Sequence, residues 1–369
     1  MGLVRSADQR MIAETARAFL GEYAGSQARR AAFDAGWDAA LWARMSQDVG
    51  WTGIAIPEAH GGSGLGWTDL AVLLEETGRE LAMAPLFSTC GLCVPLITAA
   101  ADTEQQAKLL PRLAAGAPAA ACLAGAVLRG GPGDWRLYGE ARYVAYGHAA
   151  ELLVVVAQGP GEGVSLVVVE AAAPGIEITR QTSLDLTRPY STVRFDGAPL
   201  VDALVLGEPG RAQAAITRGL SIASAMLAAE QVGAAEKVLE MTRDFVTQRV
   251  QFGRPVGSFQ AVKHRMADMA VWVETARSAA AWAAAACDAP GDELFAASAA
   301  ARVQATRALE RCAADAIQLH GGIGFTWEHD AHLYFKRARS SATLLGDVSA
   351  QLDSIAEMIG LAPSESLPV

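Results

Sequence analysis

The feature that most constrains this chain is a change of hydrophobic period along its length. Apolar residues recur at helical spacing in the first third, at strand spacing in a central stretch, and at helical spacing again from about residue 212. Ile12, Ala16, Phe19 and Tyr23 share one helical face. Residues 35–50, 68–84 and 103–115 are predicted as further helices, the last stopped by Gly116. Residues 150–157 and Val164 to Val169 are short apolar runs, and Ile176, Ile178, Val193 and Phe195 alternate with polar neighbours. Gly159-Pro160-Gly161 and Pro174-Gly175 punctuate them. Val238, Met241 and Phe245 form one later stripe, and Val262, Met266, Met269 and Val273 another. Strands never alternate with helices, so a dinucleotide-binding parallel sheet is excluded. The pattern predicts an α+β protein, mainly α, with three parts. These are an N-terminal helical domain over 1–117, a small β domain over 118–206 and a C-terminal four-helix bundle over 207–369. Ser364 to Val369 read as a disordered tail.

Composition narrows the function classes. The chain of 369 residues is 51% hydrophobic and 19% charged, a balance that favours burial of surface against other subunits. A formal net charge of -10 without a basic tract argues against nucleic-acid binding. Five cysteines, an odd and sparse set, point to a reducing compartment. Cys90 and Cys93 form a CxxC with no second Cys/His pair nearby, so they read as small apolar residues in a helix and no metal is expected. Ser6 and Gln9 read as a capping box rather than part of a secretory leader, and no apolar run has the length of a membrane span. A soluble cytoplasmic protein without membrane insertion is expected.

Two clusters carry candidate chemistry. Arg249-Val250-Gln251-Phe252-Gly253, followed by Gln260, places an Arg, an aromatic and an amide at a helix end. A guanidinium meets phosphate oxygens, a ring packs on a flat heterocycle and an amide reads an edge. The same residues also suit a solvated Arg beside a core Phe, with Gly253 as a helix stop. In Gln318-Leu319-His320-Gly321-Gly322-Ile323-Gly324-Phe325, glycines after a helix let a ligand approach the backbone, or simply cap the helix. His320 alone reads as a packed, hydrogen-bonded residue.

Taken together, R-x-x-F-G running to Gln260 and then Q-x-x-G-G-x-G-F resemble the signature of acyl-CoA dehydrogenases. Pro57-Glu58-Ala59-His60-Gly61-Gly62 resembles that family's P-E-x-x-G-G loop, and the helix–strand–helix order extends the likeness over nearly the whole chain. The resemblance implies FAD-dependent α,β-dehydrogenation of an acyl-CoA thioester, in a tetramer or dimer with FAD at subunit interfaces. It also implies an electron-accepting flavoprotein as partner. By this resemblance Arg249, Phe252, Gln260, Gln318, Gly321 and Gly322 grip the ADP half of a neighbouring subunit's FAD.

The resemblance fails where the reaction would occur. A carboxylate should remove the proton alpha to the thioester while a hydride leaves the beta carbon for the flavin. The usual Glu position falls on Leu345, in Leu344-Leu345-Gly346-Asp347. The alternative position, on an earlier helix, falls on Ala223 within Gly219 to Ala225, a stretch without an acid. The strand expected beside the flavin ring is Ala121-Cys122-Leu123-Ala124-Gly125, and the segment whose tryptophan covers the flavin is replaced by Arg142-Tyr143-Val144-Ala145-Tyr146-Gly147. These departures favour a subunit that completes the FAD site of a second, catalytic family member in an α2β2 assembly. Two readings stay open beside it: a self-sufficient homo-oligomeric dehydrogenase using Asp347 as base, and a flavin-free scaffold or acyl-CoA-binding module.

Overall fold

The computed structural model describes residues 4–159, 163–200 and 204–361. The tail from Ser364 and the Pro160-Gly161 pair lie outside the described residues. The first helices are α1 (Ala7–Tyr23), α2 (Ser26–Ala31), α3 (Ala39–Ala43), α4 (Trp67–Arg79), α5 (Val94–Ala100) and α6 (Thr103–Ala114). Ser6 and Gln9 exchange side-chain and backbone hydrogen bonds at 3.1 Å ahead of α1, the reciprocal pattern of a capping box. The stripe that α1 buries is Ala13, Ala16 and Leu20, with Ile12 and Phe19 at its edge.

Two boundaries differ from expectation. The helix expected over 35–50 is shorter: α3 runs into a π-helical turn ending at Asp48. The one expected to reach 84 stops at Arg79, and Leu81 takes φ 46°. Tyr334, far along the chain, donates its hydroxyl to the Arg79 carbonyl. A carbonyl freed at a helix end is thus met by a tertiary partner that no local pattern announces. Cys90 and Cys93 lie in a buried π-helical segment, Phe87–Cys93, as free thiols. Burial pushes the Cys90 thiol up to about 12.

The strands run from Ala119 to Leu206: β1 (Ala119–Arg129), β2 (Trp135–Ala145), β3 (Leu152–Gln158), β4 (Val164–Glu170), β5 (Ile176–Arg180), β6 (Tyr190–Leu200) and β7 (Val205–Leu206). They form one seven-stranded sheet in the order β5-β6-β2-β1-β3-β4-β7. The β1–β3 pair is parallel and the remaining pairs are antiparallel. The alternation in β2 puts Trp135, Leu137 and Ala141 into a core shared with Val155, Val167, Val193 and Phe195. Ladder register shifts between Cys122 and Ala126 and between Ala141 and Val144, which places a bulge in each segment that departs from the family pattern.

The C-terminal helices are α7 (Gln213–Gln248), α8 (Gln260–Asp288), α9 (Glu293–His320), α10 (Ala331–Thr343) and α11 (Val348–Met358). A two-residue hairpin, β8 (Val250–Gln251) and β9 (Arg254–Pro255), separates α7 from α8.

The chain packs as two compact units. One holds Met1–Glu22, Ala71–Ala82 and Ser224–Val369; the other holds Tyr23–Leu70 and Met83–Ala223. This grouping differs from the three sequence segments because α4 and α7 each contribute to both units. In the first unit α4 and α7 cross closely. A Cβ at Gly78 would lie 2.0 Å from the Glu230 carbonyl oxygen, and one at Gly233 would lie 1.8 Å from that of Glu75. Only glycine permits that approach. Glu75 and Glu76, buried beside the crossing, are neutralised by Arg5, Arg17, Arg79 and Arg277. α9 packs on α8, α10 and α11.

Candidate functional site

The C-terminal end of α7, the start of α8 and the end of α9 meet in the first unit and enclose an open pocket of about 480 Å³. Of the residues that the sequence singles out, Arg249, Gln318, Gly321 and Gly322 line it. Phe252 and Gln260 do not: Phe252 stands at the hairpin tip and Gln260 opens α8 next to the lining residue Ala261. Phe245, Gln251, Arg265 and His320 also line the pocket, and sequence reasoning did not place them there. Phe245 sits one helical turn before Arg249, a spacing that offered a signal.

The hairpin holds Phe252 in an unusual state. Phe252 has φ 53° and Gly253 φ 76°, two successive left-handed residues as in a type I′ turn. A bulky aromatic rarely adopts this backbone, which costs about 1–2 kcal/mol. The side chain is also 92% exposed, with only an edge contact to Phe259 at 6.2 Å. Strain and exposure together keep the ring where another molecule can meet it.

The pocket's charge is one-sided. Its lining contains Arg249 and Arg265 and no carboxylate. Arg265 is paired with Asp315 at 2.9 Å, whereas the Arg249 guanidinium has no hydrogen-bond or ion-pair partner among the described residues. Gly321 takes φ 62° and ψ −140°, and a Cβ at Gly321 or Gly322 would meet nothing within 4 Å. Protein packing therefore does not explain these two glycines; an open backbone does. Gly324 differs, since its Cβ would lie 3.0 Å from the His320 Cβ. His320 stacks on Phe245 at 4.4 Å, and its Nδ1 lies 2.8 Å from the Ala316 carbonyl oxygen. An Arg free to bind, backbone approachable over two glycines and an aromatic wall suit a nucleotide's phosphates and base.

The positions tied to catalysis look different. Leu345 is half-buried with φ 62°, and Gly346 follows with φ 89°. Asp347 is the N-cap of α11, its Oδ1 accepting the Ala350 N–H at 2.9 Å. Ala223 is fully buried. In the second unit Cys122 is buried, while Tyr143 is 71% exposed with φ 57°.

Residues 6–117 match the acyl-CoA dehydrogenase N-terminal domain and residues 213–360 the acyl-CoA dehydrogenase C-terminal domain. Acyl-CoA dehydrogenase IpdE2 of Mycobacterium tuberculosis (strain ATCC 25618 / H37Rv) is 36% identical over 347 residues, covering 92% of this chain and 93% of that protein. Among solved structures, a variant of the Tcur3481-Tcur3483 steroid ACAD is 30% identical with a TM-score of 0.86, covering 95% of this chain and 97% of that one. A chain of the ChsE4-ChsE5 complex from Mycobacterium tuberculosis is 25% identical with a TM-score of 0.90, covering 99% and 100%. No helix among the described residues is long and apolar enough to cross a membrane.

Proposed function

The chain belongs to the acyl-CoA dehydrogenase family, and we propose that its part there is to complete the FAD site of a second, catalytic subunit of the same family. The observation that carries this reading is a contrast. The Arg249–Gly322 pocket is lined for an anion, while both positions at which the family keeps its base hold Leu345 and Ala223.

The residues present fit the ADP half of FAD. Arg249 pairs with the diphosphate, the Gly321 and Gly322 backbone lies against it, and Gln318 and Gln260 read polar edges. Phe252, strained and exposed, packs on the flavin nucleotide or on the subunit that carries it. Bound FAD supplies the hydride acceptor for the dehydrogenation, and the partner supplies the base and the acyl pocket. Asp347, committed to the α11 cap, is not the base. The steroid ACAD and the ChsE4-ChsE5 complex among the neighbours are named as paired proteins. An α2β2 assembly acting on a steroid-derived acyl-CoA, handing electrons to a separate flavoprotein, is accordingly the arrangement to test first.

The test is flavin absorbance of the chain purified alone and co-purified with a family member that retains its Glu. Little flavin alone and tight flavin in the pair is the expected result. Full, tight flavin occupancy in the chain's own homo-oligomer would overturn the proposal.

A further inference from the structure

α9, α10 and the turn between them frame a second concavity on the first unit, about 340 Å³ in volume. Ala314 and Ile317 come from α9, Phe335 and Lys336 from α10, and Phe325 and Trp327 from the connecting segment. The lining is mainly apolar and contains no carboxylate. Its two aromatic rings from the connecting segment stand open, Phe325 69% and Trp327 57% exposed, with Ile323 exposed nearby in the chain. A soluble chain seldom leaves large apolar side chains together in water unless something covers them.

Two opposite charges at this face are unused. Lys336 Nζ lies 4.4 Å from the centroid of the Trp327 ring, and Glu328, exposed, follows that ring in the chain. Neither the Lys336 ammonium nor the Glu328 carboxylate has an ion-pair or hydrogen-bond partner among the described residues. Arg339, one turn further along α10, is already paired with Glu310 at 2.7 Å. His332 is buried edge-on against Trp327. A small anionic ligand in the concavity would answer Lys336 and be repelled by Glu328. A second copy of the same face answers both. About a twofold axis each residue of one copy meets a given residue of the other, and the reverse contact follows by symmetry. Lys336 of one copy can then pair with Glu328 of the next while Glu328 pairs with its Lys336.

We propose that this face of α9 and α10 joins two copies of the chain about a twofold axis, with the Phe325 and Trp327 rings closing the apolar centre and two Lys336–Glu328 pairs at its edge. Such a contact has the usual anatomy of an interface, an aromatic core within a charged rim. The turn after α9 gives Gly321 and Gly322 to the Arg249 pocket and Phe325 to this one. The contact between like copies therefore lies next to the one proposed above for an unlike subunit, and it does not depend on what fills the Arg249 pocket.

The experiment uses the full chain alone, followed by sedimentation velocity over a range of concentrations. Wild type should form a reversible dimer. Glu328→Lys and Lys336→Glu should each weaken it about a hundredfold or more, because two like-charge pairs replace two opposite ones. Mixed in equal amounts, the two variants should associate again with close to wild-type affinity, since every Lys then faces a Glu of the other chain. The double variant, Glu328→Lys with Lys336→Glu, should dimerise by itself for the same reason. Phe325→Ser changes no charge and should also weaken the dimer, which keeps the test independent of Lys336 and its ring contact. Each variant should keep the wild-type far-UV circular dichroism. A wild type that stays monomeric at every concentration would overturn the proposal. So would a dimer untouched by either reversal, or reversed variants that do not recover on mixing. Charge reversals that act only on association with a family member retaining its Glu would give this face to that unlike subunit and sink the twofold contact. Flavin content plays no part in the readout, so failure here leaves the nucleotide reading standing.

Discussion

α9 and α10 each end in a glycine-bearing turn, and the two turns are finished in opposite ways. After α9 the backbone inverts at Gly321, and the space before Gly321 and Gly322 is open. Both the Arg249 guanidinium and Nε2 of His320 lack partners among the described residues. After α10 the backbone inverts at Leu345 and Gly346, but the carbonyls of Ser341, Leu344 and Leu345 are met by side chains of the chain itself. Nη2 of the buried Arg302 donates to the Ser341 and Leu344 carbonyls at 3.2 and 2.9 Å. Gln351 donates to the Leu345 carbonyl at 3.2 Å, and Asp347 accepts from Ala350. A turn that satisfies itself is a structural joint, whereas one that leaves polar groups unpaired is suited to something outside the chain. The family's reaction requires the reverse at the second turn, where a carboxylate must be free to accept a proton.

The largest effect that would break this comparison is at Arg302. Arg302→Met should leave two helix-end carbonyls and Gln231, which Arg302 also contacts, short of a buried donor. The expected loss is about 3 kcal/mol or more, read as a lowered urea midpoint. An unchanged midpoint would show that the closed turn does not depend on this clamp.

Arg249→Ala should behave in the opposite sense. With no partner to lose in the free chain, folding stability should stay within about 0.5 kcal/mol of wild type. Flavin affinity in the assembled complex should fall about tenfold to a hundredfold, for a charge-assisted contact worth about 1.5–3 kcal/mol. Unchanged flavin retention would return Arg249 to a solvated surface role.

The open turn was legible in the sequence because its parts are local. Arg249 to Gln260 and Gln318 to Phe325 are each a short run, and the two runs carry the family likeness. Arg265 was not legible, because only the packing of α8 against α9 brings it to the same pocket, whereas Phe245 stood one helical turn before Arg249 and could have been read from that spacing. The closed turn was half legible. Leu345, the position at which the resemblance expects a Glu, can be counted forward from Phe325, but the Arg302 clamp, formed 39 and 42 residues away along the chain, cannot. In the sheet, β1 is rich in alanine and largely buried at its start, so it shows no alternation to read. The division into units escaped for a related reason. The 36-residue α7 carries helical character straight through the boundary at Ala223 and Ser224.

The smallest expected effect separates the two turns most sharply. Asp347 is the one acid close in sequence to the missing base, two residues beyond Leu345. Its backbone is extended, at φ −81° and ψ 176°, so the chain has already left α10 and its side chain turns to the first N–H groups of α11. To act as base it would have to release Ala350, at a cost of about 1 kcal/mol, and cover from an exposed position the ground that a half-buried Leu345 now fills. Asp347→Asn keeps size and capping ability and removes only the charge. It should leave the urea midpoint unchanged, whereas Asp347→Ala should lower stability by about 1 kcal/mol. In the assembled complex, acyl-CoA should bleach the flavin of the Asn variant as fast as wild type, since the proposed arrangement puts the base on the partner subunit. A fall of several orders of magnitude in bleaching rate, with flavin content and oligomer intact, would make Asp347 the base and the chain a self-sufficient dehydrogenase.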